Sequence, residues 1–421
     1  SIPTFPVILE AAGYHLGYAY KVWKPGSPVN APIGAERTRY EVRSWFGSFS
    51  QKATSLVDEL GVQGAKQEVF REVRENFDAF MDARPENAPF FYWWGPTNTH
   101  RRWEKGSGKG LWGIDPDDLE GKLPEFLPDV PEIREDVADY LGECMAVDGG
   151  LGILMDELQR RGELENTLVV VSGDHGIPGM PRGKCNLYDI GTEVGLAARW
   201  PGHVPGNRVV EDRVNIMDLA PTFLQAAGEE IPDCMAGRSL MGLLKSEQEG
   251  QVDPERTWVV TGRERHVAGA REGNLPYPQR AIRTHDYLYI RNFAPARWPM
   301  GDPKGLDDPT TEPPPYKELC ETTRAAYADL DASPTKAWMI YHRGEDAIRG
   351  QYEIGFGKRP KEELYDLRED PDHMCNLAED PDYREVKERL CGQLMKVLEE
   401  QDDPRVTETP CRFEPPPCTD S

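Results

Sequence analysis

One stretch constrains the fold more than any other: Thr167-Leu-Val-Val-Val-Ser172, followed at once by Gly-Asp174-His175-Gly. Six residues rich in valine and bounded by turn formers read as a buried strand. Before it, residues 133–162 carry Val137, Tyr140, Leu141, Met145, Leu151, Leu154, Met155 and Leu158 at helical spacing, which predicts a long amphipathic helix. The pattern recurs along the chain. Helices are predicted over 4–13, 65–83 and 216–227. Apolar strands are predicted over 16–20, 90–94, 194–200 and 257–261. Helices alternating with apolar strands predict an α/β fold, a mostly parallel sheet covered by helices on both faces.

After about residue 275 the texture changes. Ala281–Thr284 and Tyr287–Arg291 lie only a few residues apart, like an antiparallel pair, and a closing helix is predicted over 382–401. The chain therefore divides into a large domain, 1–275, and a smaller α+β domain, 276–421, which suits 421 residues. Residues 96–131 and 294–335, rich in Gly, Pro and charge, read as long loops. With 49 Lys+Arg against 73 Asp+Glu the net charge is −24. A field of that sign repels nucleic acid and anionic membranes, so neither is an expected partner. No run approaches the ~18 apolar residues of a membrane span. Of the eight cysteines none forms a C-x-x-C pair, which excludes a zinc ribbon and a thioredoxin motif. Cys411 and Cys418 are spaced for a bridge or are two unrelated tail thiols.

Candidate chemistry sits at strand ends. Asp174 and His175 end strand 167–172, where open α/β sheets place ligands. Carboxylate oxygen and imidazole nitrogen suit a divalent cation, although the pair also suits an exposed turn. Arg182 and Lys184 follow ten residues on. Strand 90–94 leads to His100, Arg101 and Arg102; over 100–110, Arg101, Arg102, Lys105 and Lys109 stand against Glu104, a local +3. Strand 257–261 leads to Arg265 and His266, and strand 16–20 to Lys21. Cationic or imidazole groups at four strand ends would, on one rim, build a pocket for a tetrahedral anion. Nucleotide binding is rejected: Gly106-Ser-Gly108-Lys109-Gly110 matches neither phosphate-loop pattern. There is also no G-x-S-x-G elbow.

These residues resemble the type I sulfatases of the alkaline phosphatase superfamily, most closely the N-sulfoglucosamine sulfohydrolase (heparan sulfamidase)-like branch. The similarity runs through Ala11-Ala-Gly-Tyr14 to Lys21, His100-Arg101, Ser172-Gly-Asp174-His175-Gly, Leu187-Tyr-Asp189 and Arg199-Trp-Pro-Gly202. It continues through Met217-Asp218, Gly237-Arg-Ser-Leu240, Ala281-Ile-Arg-Thr284 and Glu363-Leu-Tyr-Asp-Leu367. The resemblance implies that Asp174 and His175 are two ligands of a Ca²⁺ ion. It implies that Lys184 and Lys21 bind the sulfate, and that His100 is the acid for the leaving group. Arg101, Arg182, Arg265 and His266 would face the substrate, a sulfated sugar. A periplasmic or extracellular location is also implied.

The chain departs from that pattern in three ways. Trp23 stands where the family usually has His, and Asn98 where it often has Asp. None of the cysteines 144, 185, 234, 320, 375, 391, 411 and 418 opens the C-x-P-S-R motif whose Cys becomes formylglycine, the nucleophile. The Asp-Asp pairs at 117–118, 307–308 and 402–403 follow no apolar strand. The resemblance thus places the nucleophile, two calcium ligands and a strand in an N-terminal segment outside this chain. The chain by itself is expected not to turn over. Two other readings are a phosphoester or phosphonate hydrolase of the same superfamily, and a non-catalytic binding protein.

Overall fold

The computed structural model describes residues 4–22 and 39–416, so Trp23 and Cys418 lie outside the described residues. The chain separates into two compact units. One comprises Ser1–Asp115, Ala138–Ser172 and Leu196–Arg256; the other comprises Pro116–Val137, Gly173–Gly195 and Thr257–Ser421.

The first unit opens with helix Phe5–Ala11, with Thr4 as N-cap, Pro6 in its first turn, and Gly13 at φ 89° behind it. Strands β1 (His15–Tyr20) and β2 (Phe90–Gly95) pair in parallel, His15 against Phe90 through Tyr20 against Gly95. Between them runs helix Phe49–Asp82, broken at Gly61, whose φ of 67° only glycine adopts at low cost. The predicted helix 65–83 is its second part. Val69, Val73, Phe77 and Phe80, spaced three or four apart, turn into a core with Phe46 and Phe49.

Helix Pro131–Arg160 is the predicted 133–162 helix, but its buried stripe differs from the predicted one. Met145 is exposed, while Ala138, Gly142, Ala146 and Gly150, four residues apart, are buried. Small residues there admit aromatic rings: a Cβ on Gly150 would stand 2.7 Å from the Trp94 ring and 2.8 Å from Phe46. Strand β3 (Val169–Ser172) pairs with β4 (Leu196–Arg199) antiparallel, not parallel. The 173–195 connection holds only the four-residue helix Asp189–Thr192, so no helical crossover returns the chain in the same direction. Helix Leu219–Ala227 ends at Gly228, as predicted.

The second unit is built on a four-stranded antiparallel sheet in the order β5 (Trp258–Arg263), β6 (Gln279–Thr284), β7 (Tyr287–Asn292), β8 (Glu362–Asp366). Alternation sorts its faces. Ile282, Tyr289 and Leu364 pack with Leu390, Leu394 and Leu398 of helix Arg384–Glu400. Ala281, Leu288, Ile290 and Tyr365 pack with Leu187 and Tyr188. The predicted loop 294–335 contains helix Tyr316–Glu321. Helix Pro334–His342 follows, capped by Ser333, whose side chain accepts from the Lys336 backbone N–H. No described helix is long and apolar enough to cross a membrane.

Candidate functional site

In the second unit, Asp174 and His175 sit on a bend after β3. The following glycine is obligatory, because a Cβ on Gly176 would collide with the Ile190 carbonyl. His175 Nδ1 lies 2.8 Å from the Gly176 carbonyl oxygen, which makes Nδ1 the donor. Its Nε2 is 3.7 Å from Asp174 Oδ1. A cation could share that lone pair and that carboxylate. Two donors fall well short of the ~6–8 oxygens that Ca²⁺ takes, however. Among the described residues no group of three or more His, Cys, Asp or Glu is placed to hold a metal. The residues present therefore do not make a calcium site by themselves.

Lys184 is set by the fold of its loop: its N–H donates to the Ile177 carbonyl at 2.9 Å. Its ammonium meets Asp331 Oδ2 at 3.0 Å, with both side chains 11% exposed. Next to this pair, Asp329 is fully buried and takes Arg263 and Arg271, each at 2.6 Å. Burial alone would raise the Asp329 carboxyl; the two guanidinium groups outweigh it and hold it below its ordinary value. His266 Nδ1 lies 3.9 Å from Asp329 Oδ1. Burial, then the Lys184 charge, push the His266 imidazole below its ordinary value and favour its neutral form. Burial likewise pushes the neighbouring Cys185 thiol up to about 12, so it stays protonated and inert. Below the loop, buried Lys336 donates to the carbonyls of Thr323, Tyr327 and Leu330 at 3.2, 3.1 and 2.8 Å. That clamp fixes the segment carrying Asp329 and Asp331.

The second unit thus brings Lys184 and His266 together, with Arg263 from the same candidate stretch as His266, and adds Asp329, Asp331 and Arg271, which the sequence reading did not single out. Their signal was Asp329-Leu-Asp331 just before the Ser333-Pro334 helix start. Arg182 and Arg265 are placed otherwise. Arg182 is 2% exposed, lies 4.3 Å over the Tyr188 ring and donates to the Asp372 carbonyl at 3.1 Å. Arg265 donates to the carbonyls of Asn274, Phe413 and Glu414 at 2.9, 2.6 and 2.6 Å.

In the first unit, the parallel register of β1 and β2 puts Lys21 and Gly95 at one sheet end, and Lys21 N–H donates to Gly95 O at 2.9 Å. His100 lies exposed on the turn after β2, its Nδ1 2.7 Å from the Arg101 carbonyl oxygen. Arg101 stacks 3.6 Å above the Trp103 ring. Asn98 is 1% exposed, and neither its amide nitrogen nor its oxygen has a hydrogen-bond partner among the described residues.

Comparison with known proteins gives this arrangement its class. The sulfatase family profile matches residues 1–229, and that of the N-sulphoglucosamine sulphohydrolase C-terminal region matches 182–309. The chain belongs to the sulfatase family. It is 30% identical to human N-sulphoglucosamine sulphohydrolase over 301 residues, 69% of this chain and 53% of that protein. It is 26% identical to an ulvan-active sulfatase of Formosa agariphila over 282 residues, 67% of this chain and 41% of that protein. The chain thus spans about half the length of these relatives. A structure solved with its substrate D-glucosamine-2-N,6-O-disulfate superposes at TM-score 0.55, with 14% identity, over 96% of this chain and 83% of that one. The phosphonate monoester hydrolase of Agrobacterium radiobacter does so at 0.54, with 16% identity, over 94% and 80%. These likenesses establish an alkaline phosphatase-like fold.

Proposed function

We propose that the protein is a hydrolase of a sulfate ester or sulfamate on a glycan, and that Lys184 and His266 bind the sulfate group. The observation that carries this reading is the Lys184–Asp331 pair beside His266, in a chain of the sulfatase family. A sulfate oxygen offers Lys184 the same charge-assisted contact as the Asp331 carboxylate. A neutral His266 donates a hydrogen bond to a second oxygen without adding a charge that Lys184 would oppose. For Lys21 and His100, which belong to the first unit, the family resemblance alone supports a role: Lys21 as a further cation for sulfate, and His100 as the acid for a departing oxygen or nitrogen, which would otherwise leave as a strong base. When bound, a divalent cation at Asp174 and His175 would supply positive charge there; among the described residues no third His, Cys, Asp or Glu is placed to join them. Buried Arg182 holds the loop in place and is assigned no contact with substrate.

A second reading concerns this chain by itself, as a binder without turnover. It is favoured by the absence of C-x-P-S-R at every one of its cysteines, the motif to which the family resemblance assigns the attacking nucleophile.

Both readings predict binding. Titrating the purified chain with a sulfated disaccharide should show affinity lowered about tenfold by Lys184→Gln, one charge-assisted contact. Asp331→Asn should leave affinity equal or higher, because it removes the internal competitor. Binding that Lys184→Gln does not change would overturn the site. Sulfate released by this chain would decide for the first reading over the second.

A further inference from the structure

The tail of the second unit lies across a group of arginines that no contact with Lys184 or His266 explains. Arg265 donates to the carbonyls of Phe413 and Glu414 at 2.6 Å each and of Pro415 at 3.1 Å. Arg297 Nη2 meets the Glu414 carboxylate at 2.9 Å, and Arg405 closes on the same carboxylate from the other side. Arg297 and Arg405 outweigh the effect of burial and hold the Glu414 carboxyl below its ordinary value. Nearby, Glu264 is held by Arg280 at 2.9 Å and by Arg405, and Asp403 by Arg280 at 2.6 Å. Of these guanidinium groups, Arg280 and Arg405 meet the two carboxylates of the folded unit, and Arg297 and Arg405 meet the third, which the tail supplies. Beside the tail opens a cavity of about 430 Å³, lined by Arg263 and Arg280, by Glu264, Asp402 and Asp403, and by Phe413 of the tail.

We propose that Arg265, Arg297 and Arg405 form a second anion-binding site, for the carboxylate or sulfate of an acidic sugar, which Glu414 occupies until the sugar displaces it. The planar guanidinium fork matches both oxyanions. The choice of an acidic sugar rests on the glycan reading above; the site itself rests on the grip on Glu414. The tail is an internal competitor, present at the high effective concentration of a short tether. It lowers the apparent affinity for a ligand by the fraction of molecules in which the site stands open.

Calorimetric titration of the full chain with a heparin-derived disaccharide, which carries both carboxylate and sulfate, tests this. Glu414→Gln should tighten binding about tenfold, by removal of the competing charge, and adding Arg297→Gln should abolish that gain. In the unaltered chain the disaccharide should speed amide exchange over 411–416, a readout that needs no variant. Affinity unchanged by Glu414→Gln, a gain that persists with Arg297→Gln, or tail exchange unaffected by ligand would each overturn the proposal. If Glu414→Gln tightens binding while Lys184→Gln leaves it unchanged, the sulfate-site reading fails and this one stands. The reverse pattern condemns only the tail site. Inorganic sulfate and glucuronate, titrated separately, show which anion the arginines take.

Discussion

Both units have apolar cores, but one cluster in each is held by opposite means. The first buries Phe46, Phe49, Phe77 and Phe80 with less than 3% of each exposed, and apolar burial of that kind stabilises without regard to partner geometry. The second buries Asp329 with Arg263 and Arg271, and Lys184 with Asp331. Buried ion pairs barely repay their desolvation, so apolar residues of similar volume would often hold a fold as well. The difference teaches where to look for chemistry. Charge kept inside at little gain in stability is kept for where it puts Lys184 and His266.

The sharpest way to break this contrast is to remove the shared acceptor. Asp329→Ala leaves two buried guanidinium groups opposed to each other, which should cost about 3–5 kcal/mol. Phe80→Ala in the first unit should cost a similar ~3–5 kcal/mol by transfer and cavity. Urea unfolding distinguishes them. The Asp329→Ala loss should change with pH and salt and the Phe80→Ala loss should not. Equal insensitivity in both would mean that the charges of the second unit do not matter to its fold.

Glu143 sharpens the contrast: like Glu72 and the Arg256–Asp218 pair, it is an ionisable group buried in the first unit. It is 1% exposed, its Oε1 accepts from Ser50 N–H at 3.3 Å, and its Oε2 has no hydrogen-bond partner among the described residues. Burial pushes its carboxyl up to about 7. An acid raised in the fold binds more protons folded than unfolded between the two values. Stability is therefore full below the unfolded value near ~4.5 and falls as pH rises toward 7, by up to about 3 kcal/mol. Glu143→Gln should flatten that slope and raise the thermal midpoint at pH 8. A slope that survives the substitution belongs to other groups.

Much of this was legible in the sequence, for stated reasons. Strands β1, β2, β5, β6 and β7 were visible because they are apolar or alternate and end at turn residues. The antiparallel β3–β4 pair was not, because strand direction depends on the connection, and 173–195 carries no periodic signal. The buried face of helix Pro131–Arg160 was read only in part: Leu154 and Leu158 are core, but exposed Met145 was counted with them and the small residues were not. Gly142 and Gly150, which contribute no apolar area of their own, are the ones enclosed by rings. The Asp329–Asp331 segment was hidden by loop-like composition, although its charges are interior. Lys184 and His266 were legible as cationic and imidazole groups after strand ends, and the family resemblance gave them roles; their partners required the fold.

The small-residue stripe makes the next test. Gly150→Ala brings a methyl to 2.7 Å of Trp94 and 2.8 Å of Phe46, so rings must shift, at about 1–3 kcal/mol. Gly152 on the same helix meets nothing within 4 Å of an added Cβ, and Gly152→Ala should instead stabilise by up to about 1 kcal/mol through helix propensity. Thermal midpoints moving in opposite directions would confirm that packing, and not helix propensity, set the residue at 150.

The smallest effect concerns substrate length, and it asks whether charge acts on ligands as it acts inside the second unit. The chain carries −24 overall, while residues 100–110 carry a local +3. Lys109 of that stretch already pairs with Asp115 at 2.9 Å. Screening confines the attraction to about 8 Å at physiological salt, so the basic loop reaches one sugar and no further. Each sulfate beyond that distance meets the negative field of the whole molecule. A disaccharide should therefore be bound at least as well as a polymer of equal sulfate content, by a factor of a few. The advantage should shrink as salt rises from 50 to 300 mM, because repulsion of the distal sulfates is the part that salt screens. Under the proposed function, sulfate should be released from terminal sugars. Affinity that grows with chain length, or sulfate removed from internal positions, would show that an extended basic surface, and not a local pocket, selects the substrate.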